Sequence, residues 1–168
     1  MKWIATIWGI LGVTAFIGTA IIRLYEKAAL AFSPAYELTT MHWIIMVAFS
    51  IFMLIAEGYR GFQKKFSPRT AARTHYLFQH STPKRLLLAP LFCMGYFDAT
   101  KKTRIIAISL TAGIICLILL MRLVPMPMRG VLDVGVVLGL SYGLLSYFCF
   151  LVKVFTKKDH GHSPEMPQ

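Results

Sequence analysis

The stretch VLDVGVVLGLSYGLLSYFCFLV, residues 131–152, decides the fold because Asp133 is its only charge. Roughly 20 helical residues cross a hydrocarbon core about 30 Å thick, so this stretch is long enough to span a membrane. Residues 3–22, 39–56 and 105–124 are apolar runs of similar length. Backbone groups in lipid must be paired internally, and four runs are too few for a closed barrel. The sequence therefore predicts an all-α integral membrane protein with four transmembrane helices in a single domain.

The composition supports this class and excludes two others. The chain of 168 residues is 57% hydrophobic and 15% charged, against roughly 45–50% apolar residues in a typical soluble domain. Disordered chains have low hydrophobicity, so the chain as a whole does not belong to that class. A soluble core of this size has no place for several apolar runs of about 20 residues, which disfavours a soluble globule.

The basic residues indicate how the predicted helices are oriented. Lys and Arg number 18 against 7 Asp and Glu, and residues 57–104 hold ten of these cations. Loops on the cytoplasmic side are rich in Lys and Arg. An orientation with both termini in the cytoplasm places fourteen cations on that side and four on the other. We therefore expect residues 57–104 to form a cytoplasmic loop, and the small basic chain fits a bacterial inner membrane.

The two ends of the chain carry separate predictions. Gly18, Thr19 and Ala20 follow an apolar run, as small residues do in a cleavable signal peptide. The run is long for a signal core, however, and it continues through Ile21 and beyond. We expect an uncleaved first helix that continues toward Phe32, with cleavage as the alternative. Residues 157–168 are predicted to be a disordered tail.

Small residues at helical spacing mark the faces on which the spans are expected to pack. Gly135, Gly139 and Gly143 recur every four residues and share one face of the fourth span. Ser109 and Gly113 have the same spacing in the third span. Small residues let another helix approach closely, which increases van der Waals contact. Two interpretations stay open for the fourth span: packing within one monomer, or association with a second copy.

Aromatic and basic residues alternate in EGYRGFQKKFSPR, residues 57–69. Aromatic rings favour the headgroup level of a bilayer, and each nearby cation gains about 1 kcal/mol from an anionic leaflet. The expected headgroup contacts are Tyr59, Arg60, Phe62, Lys64, Lys65 and Arg69. Proteins that bind single-stranded nucleic acid use similar patterns, but the orientation of the helices already accounts for this charge. Anionic membrane lipids are therefore the expected partners, and nucleic acid is not.

Two hydroxyl-proline pairs in the same loop predict helix starts. Ser67-Pro68 and Thr82-Pro83 each place a capping hydroxyl before a proline at the first helical position. Residues 86–97 then form an apolar run that is too short to span. We expect short helices lying on the bilayer surface, with a re-entrant placement of residues 86–97 as the alternative.

Three charged residues near the ends of spans form a candidate polar site, namely Glu57, Arg122 and Asp133. Charges at membrane depth are costly and often functional. Each of the three also has a structural explanation. Glu57 can pair with Arg60, and Asp133 can pair with Arg129 at i,i+4 spacing. Arg122 can extend its long side chain to the interface.

No metal, cofactor or catalytic site is predicted. The sequence contains no CxxC pair, no HExxH, no GxSxG and no Gly-rich phosphate loop, which are patterns typical of such sites. Cys93 and His80 could serve as a nucleophile and its base, but no motif supports that pairing. His42 and the methionines predicted on the outer side would suit Cu(I), yet methionine is also an ordinary apolar filler.

The leading functional hypothesis is a non-enzymatic membrane protein that assembles with itself or with a membrane partner through a glycine-lined helix face. It rests on the fourth span and on the missing catalytic motifs. The alternative is a lipid-directed membrane enzyme or small transporter that uses the basic loop, with Glu57 and Arg60, at the headgroup level.

Overall fold

The computed structural model describes residues 2–156 and 164–166, and every regular element within them is helical. The helices are α1 (Lys2–Ala31), α2 (Thr40–Met53), a π-helical segment (Leu54–Phe66), α3 (Ser67–Gln79), α4 (Pro83–Leu87), α5 (Ala89–Met94), α6 (Lys101–Met121) and α7 (Met128–Thr156). The prediction of an all-α fold is confirmed.

Four helices are long and apolar enough to cross a membrane, as the sequence predicted. They are α1, the continuous helix Thr40–Gln79, α6 and α7. At 1.5 Å per residue, α1 is about 45 Å long and α6 about 31 Å, against a hydrocarbon core of about 30 Å. The first helix continues to Ala31, so its expected extension past residue 22 is confirmed. α6 is only as long as the hydrocarbon core, whereas α1 is long enough to reach beyond it.

The second helix differs most from the prediction. It continues through the π-helical segment, and Ser67 has helical dihedral angles (φ −60°, ψ −48°). The helix start predicted at Ser67 is therefore wrong, and the backbone stays helical where a loop was expected to begin. Packing explains the difference, because Phe62 lies directly against Gly143 of α7. The Ser67 hydroxyl also donates to the Gly143 carbonyl (3.5 Å), so it bonds a neighbouring helix instead of capping its own.

α7 is the central helix and contacts α1, α2, the π-helical segment and α3. The start of α7 meets the end of α1, so these two helices are antiparallel. The second helix runs parallel to α7, since Gly135 meets Phe49 and, farther along, Gly143 meets Phe62. α7 thus fills the space between the first and second helices.

The start of α1 and the end of α7 lie at the same end of the bundle. The ring of Phe78, at the end of α3, is 4.8 Å from Trp3 and 6.0 Å from Phe155, measured between centroids. The beginning of α1 and the end of α7 therefore meet around α3.

α4 and α5 connect α3 to α6 and pack against α1. Thr82 caps α4 as predicted, because its hydroxyl accepts from the Arg85 amide (3.4 Å). α5 ends at Gly95, whose φ of +91° favours glycine. A Cβ added at Gly12 of α1 would lie 2.2 Å from Pro90 Cγ, so α5 sits tightly on this helix. α5 therefore packs on residues of the predicted first span, and its interfacial or re-entrant placement stays a prediction.

α6 stands apart from the other helices. In the described part of the chain it packs along none of them, and it is attached to the turn that precedes it and to the tail. Thr103 lies against Gly95, and the hydroxyls of Tyr96 and Thr111 are hydrogen-bonded. α6 is therefore attached mainly through its first half.

Candidate functional site

The glycine face of α7 is covered by the chain's own second helix. A Cβ added at Gly135 would lie 2.7 Å from Phe49 Cδ1, and one at Gly139 would lie 3.2 Å from a backbone oxygen of α2. Gly143 is tighter still, because a Cβ there would lie 2.4 Å from Phe62 Cγ. The structure thus brings the three glycines together as a packing face within the monomer. A second copy could reach this face only by displacing the second helix.

The small residues of α6 face outward instead. Ser109, Ala112 and Cys116 are exposed along one side of the helix, and Gly113 follows Ser109 by one turn. At 3.6 residues per turn, the buried Ala107 lies on the opposite side. The side of α6 that carries Ser109, Ala112 and Cys116 is therefore turned away from the rest of the chain, whereas Ala107 faces it.

The predicted headgroup residues separate into two groups. Four of them are exposed on the π-helical segment: Tyr59, Arg60, Lys64 and Lys65. Phe62 instead packs against α7 and against Phe66, with ring centroids 5.1 Å apart. Arg69 is half-buried, and among the described atoms its Nε has no hydrogen-bond partner. Because this helix packs on α7, it exposes only one face. Phe62 and Arg69 lie on the side that is packed within the bundle.

The three residues of the predicted polar site do not converge. Asp133 is buried near the start of α7, with a carboxylate oxygen 3.9 Å from Arg129 Nε, so the predicted i,i+4 pair is confirmed. Arg122 follows the last turn of α6. Glu57 lies near the glycine face of α7. The ion pairs between described residues do not include Glu57 with Arg60, because i→i+5 winding moves residues three apart off a common face.

The densest polar cluster surrounds Arg73 of α3, whose side chain is fully buried. Its guanidinium donates to four backbone carbonyls: Nε to Phe92 (2.7 Å), Nη1 to Pro164 (2.9 Å), and Nη2 to Phe97 (2.9 Å) and Asp98 (3.0 Å). The guanidinium carbon also lies 4.3 Å from the centroid of the Phe92 ring. A buried charge is tolerated when it is hydrogen-bonded in this way. Arg73 thereby joins α3 to α5, to the turn before α6 and to the tail.

The tail residues Pro164–Met166 lie against the same cluster. The Thr100 amide donates to the Glu165 carbonyl (3.1 Å), and the Thr103 hydroxyl donates to the Glu165 carboxylate. A disordered tail was predicted over residues 157–168, but the structure shows these three residues bound. Residues 157–163 and 167–168 lie outside the described part of the chain.

Cys93 of α5 is buried beside Arg73 and is a poor nucleophile there. Its Sγ lies 3.4 Å from the Thr74 hydroxyl, and burial raises the pKa of the thiol to about 11. His80 stacks on Tyr76 instead, with ring centroids 4.5 Å apart. The thiol is therefore protonated at neutral pH, and the described geometry does not support the Cys93–His80 pairing.

His42, one of the residues weighed for copper, has a structural role at the opposite end of the bundle. Its Nδ1 lies 2.8 Å from the Thr39 hydroxyl and accepts from the Thr39 amide (3.2 Å). This reciprocal arrangement is a capping box at the start of α2. Among the described residues, no group of three or more His, Cys, Asp or Glu is placed to hold a metal ion.

Arg73 and Glu165 are the residues that sequence reasoning missed. Arg73 was counted only as one of ten cations in the expected loop. A signal was present in the sequence, because the residues around Arg73 are small: Thr70, Ala71, Ala72 and Thr74. All four are buried. Small neighbours leave room for other elements to pack around the arginine, whereas the exposed Lys64 and Lys65 have bulkier neighbours.

Two features therefore stand out, the outward small-residue face of α6 and the Arg73 cluster with its bound tail. Comparison of the chain with known protein families, with curated proteins and with solved structures found no match.

Proposed function

We propose that the protein acts by association and not by catalysis, and that it binds a transmembrane helix of a partner protein along the outward face of α6. The observation that carries this proposal is that α6, the most apolar of the four spans, packs along no other helix of the described chain. The leading hypothesis from the sequence is thereby kept, but its surface moves from α7 to α6.

The shape of the α6 face suits another helix. Ser109, Ala112 and Cys116 are small and exposed, and small residues allow two helix backbones to come close in lipid. Larger apolar side chains flank them on either side of the helix face, including Ile106 and Ile108, which are also exposed. Small residues between larger ones form a shallow groove, and the larger side chains would cover the sides of a helix lying in it.

The charges at the start of α6 favour a partner over a second copy. Lys101, Lys102 and Arg104 are exposed in the first turn. Two copies of α6 packed in parallel would bring these cations together, which is unfavourable, whereas carboxylates at the end of a partner helix would attract them. The expected partner is therefore an apolar helix with an acidic end on the same side of the membrane.

The proposal can be tested by site-specific photo-cross-linking in the protein's own membrane. A photoreactive amino acid replaces Ala112 on α6 and, as a matched control, Leu145 on α7, which is 65% exposed. We expect a discrete protein adduct from position 112 and only lipid adducts from position 145. The substitution Ser109→Leu should abolish the adduct, because a large side chain on the face blocks close approach.

Several outcomes would overturn the proposal. Equal adducts from both positions would indicate random collision, and an adduct unaffected by Ser109→Leu would place the contact elsewhere. An adduct of twice 19.0 kDa would identify a second copy and contradict the inferred partner. A discrete heterologous adduct that Ser109→Leu removes would support it.

A further inference from the structure

The tail occupies a cleft that is lined with hydrogen-bond donors. Three of these donors serve the tail: Nη1 of Arg73 bonds the Pro164 carbonyl, the Thr100 amide bonds the Glu165 carbonyl, and the Thr103 hydroxyl bonds the Glu165 carboxylate. Arg73 is fully buried, and Thr103 is only 1% exposed. The cleft is therefore made by fixed side chains and a helix terminus, and not by mobile surface lysines.

The group held in the cleft is an anion. Glu165 places its carboxylate on Thr103 and interacts electrostatically with Arg69 and Arg73. The Nε of Arg69 is buried and, among the described atoms, has no acceptor. The carboxylate is thus attracted by two guanidinium groups, and the Nε of Arg69 is a donor that no described acceptor uses. The nearby Asp98 does not compete, because its carboxylate pairs with Arg85 (2.9 Å).

The donors match a phosphate group better than a carboxylate. A phosphate offers more acceptor oxygens, and it is bound in proteins by guanidinium forks, hydroxyls and amides at helix N-termini. All three kinds of donor are present here, in Arg73, Thr103 and Thr100. A phosphate could also use the free Nε of Arg69, which the carboxylate leaves without an acceptor.

The position of the cleft favours a lipid as the source of the phosphate. α6 begins at Lys101 and is about as long as the hydrocarbon core is thick. Its first turn, with Thr100 and Thr103, would then lie where the hydrocarbon meets the headgroups. Phosphates of membrane lipids are concentrated at that level.

We propose that this cleft is a binding site for the phosphate of an anionic lipid headgroup, and that Glu165 occupies it as an internal competitor. The site is separate from the α6 face and does not depend on a partner helix. Binding of the lipid phosphate displaces the tail from Thr103 and from Nη1 of Arg73, leaves the other bonds of Arg73 to backbone carbonyls in place, and gives the Nε of Arg69 an acceptor.

The test uses the full-length chain in phosphatidylcholine nanodiscs that are titrated with phosphatidate, with binding measured by native mass spectrometry. Glu165→Gln removes the competing charge and keeps the size of the side chain. A charge-assisted hydrogen bond is worth enough to change affinity about tenfold, so we expect Glu165→Gln to bind phosphatidate about tenfold more tightly. The control Glu37→Gln makes the same charge change at an exposed residue between α1 and α2, and it should leave the affinity unchanged.

A second variant shows whether the gain arises in the cleft. Thr103→Val keeps the shape of the side chain and removes the hydroxyl donor, so it should cancel the gain when combined with Glu165→Gln. A parallel titration with inorganic phosphate distinguishes the sources, because a lipid site should gain affinity for phosphatidate and not for the free ion. Equal affinities of Glu165→Gln and Glu37→Gln would overturn the proposal, as would a gain that survives Thr103→Val. A gain for inorganic phosphate alone would overturn the assignment to a lipid.

Discussion

α6 and α7 are both long apolar helices with small residues four positions apart, yet they have opposite places in the molecule. In the most apolar part of α6 the mean hydropathy is 2.4, and 7% of the residues are buried. In the corresponding part of α7 the mean hydropathy is 1.9, and 33% of the residues are buried. The more apolar helix is thus the less packed one. Lipid chains are as apolar as leucine, so hydropathy places a helix in the membrane but does not drive it against another helix.

The two helices are also attached in different ways. α7 is held along its length by glycines that fit aromatic rings and backbone of the second helix. α6 is held through its first half, where Thr100 and Thr103 bind the tail and Thr111 meets Tyr96. Side-on packing makes α7 part of the folded core, whereas α6 packs along no other helix of the described chain.

The largest loss of stability is expected from a substitution at Arg73, which joins α3 and α5 to the turn before α6. Arg73→Met removes four charge-assisted hydrogen bonds to backbone carbonyls that remain buried, which should lower the free energy of unfolding by about 3–5 kcal/mol. The measurement is equilibrium unfolding in detergent, followed by tryptophan fluorescence. The exposed Arg60, changed to Met, is the matched control and should cost less than about 0.5 kcal/mol. Similar losses for both variants would show that the Arg73 network does not join the elements as described.

A smaller loss of stability should distinguish the packed helix α7 from the exposed helix α6. Gly139→Leu on α7 forces a side chain against backbone 3.2 Å away, so it should lower the free energy of unfolding by about 1–3 kcal/mol. Ser109→Leu on α6 points outward and should change it by less than about 0.5 kcal/mol. Both values come from the same unfolding experiment. A large loss for Ser109→Leu in the isolated protein would mean that α6 packs within the monomer.

A third effect is one of reaction rate, and it concerns the Cys93 thiol where α5 packs near α7. Cys93 belongs to the buried cluster that includes Tyr147 of α7, and burial raises its pKa from 9.0 to about 11. Because the thiolate is the reactive form, N-ethylmaleimide should label Cys93 at neutral pH about 100-fold more slowly than in the unfolded chain, as judged by mass spectrometry. The folded state holds this proton more tightly, so its stabilising contribution is complete below about pH 9 and is lost toward pH 11. Fast labelling of Cys93 at neutral pH would contradict a closed interface.

Features that depend on neighbouring residues in the chain could be predicted. The cap at Thr82 and the ion pair between Arg129 and Asp133 involve residues three or four apart, whose geometry a helix sets by itself. The small-residue faces were also found, because helical periodicity places such residues on one side. What the sequence could not provide was the neighbour of each face, so the choice between monomer packing and self-association stayed open for α7.

The errors arose where tertiary contacts overrode local signals. Ser67-Pro68 has the pattern of a helix start, yet the helix continues through it. Phe62 packs against α7, and the Ser67 hydroxyl donates a hydrogen bond to a carbonyl of α7. The sequence predicts Arg73 to be one of the cations of a loop. Its guanidinium is nevertheless buried and bonds carbonyls of residues 19 to 91 positions away. Contacts at such separations leave little trace in any short stretch of sequence.

The sequence by itself determined that this is a helical protein with four apolar segments, because the cost of unpaired backbone in lipid acts on each segment alone. It also determined which residues are small enough for close helix contact. Only the tertiary structure decided that the glycines of α7 are used within the chain, that α6 packs along no other helix of the described residues, and that Arg73 holds the tail. The physical reason is that packing in a membrane depends on complementary shape and on hydrogen bonds between distant residues, and neither is encoded in hydropathy.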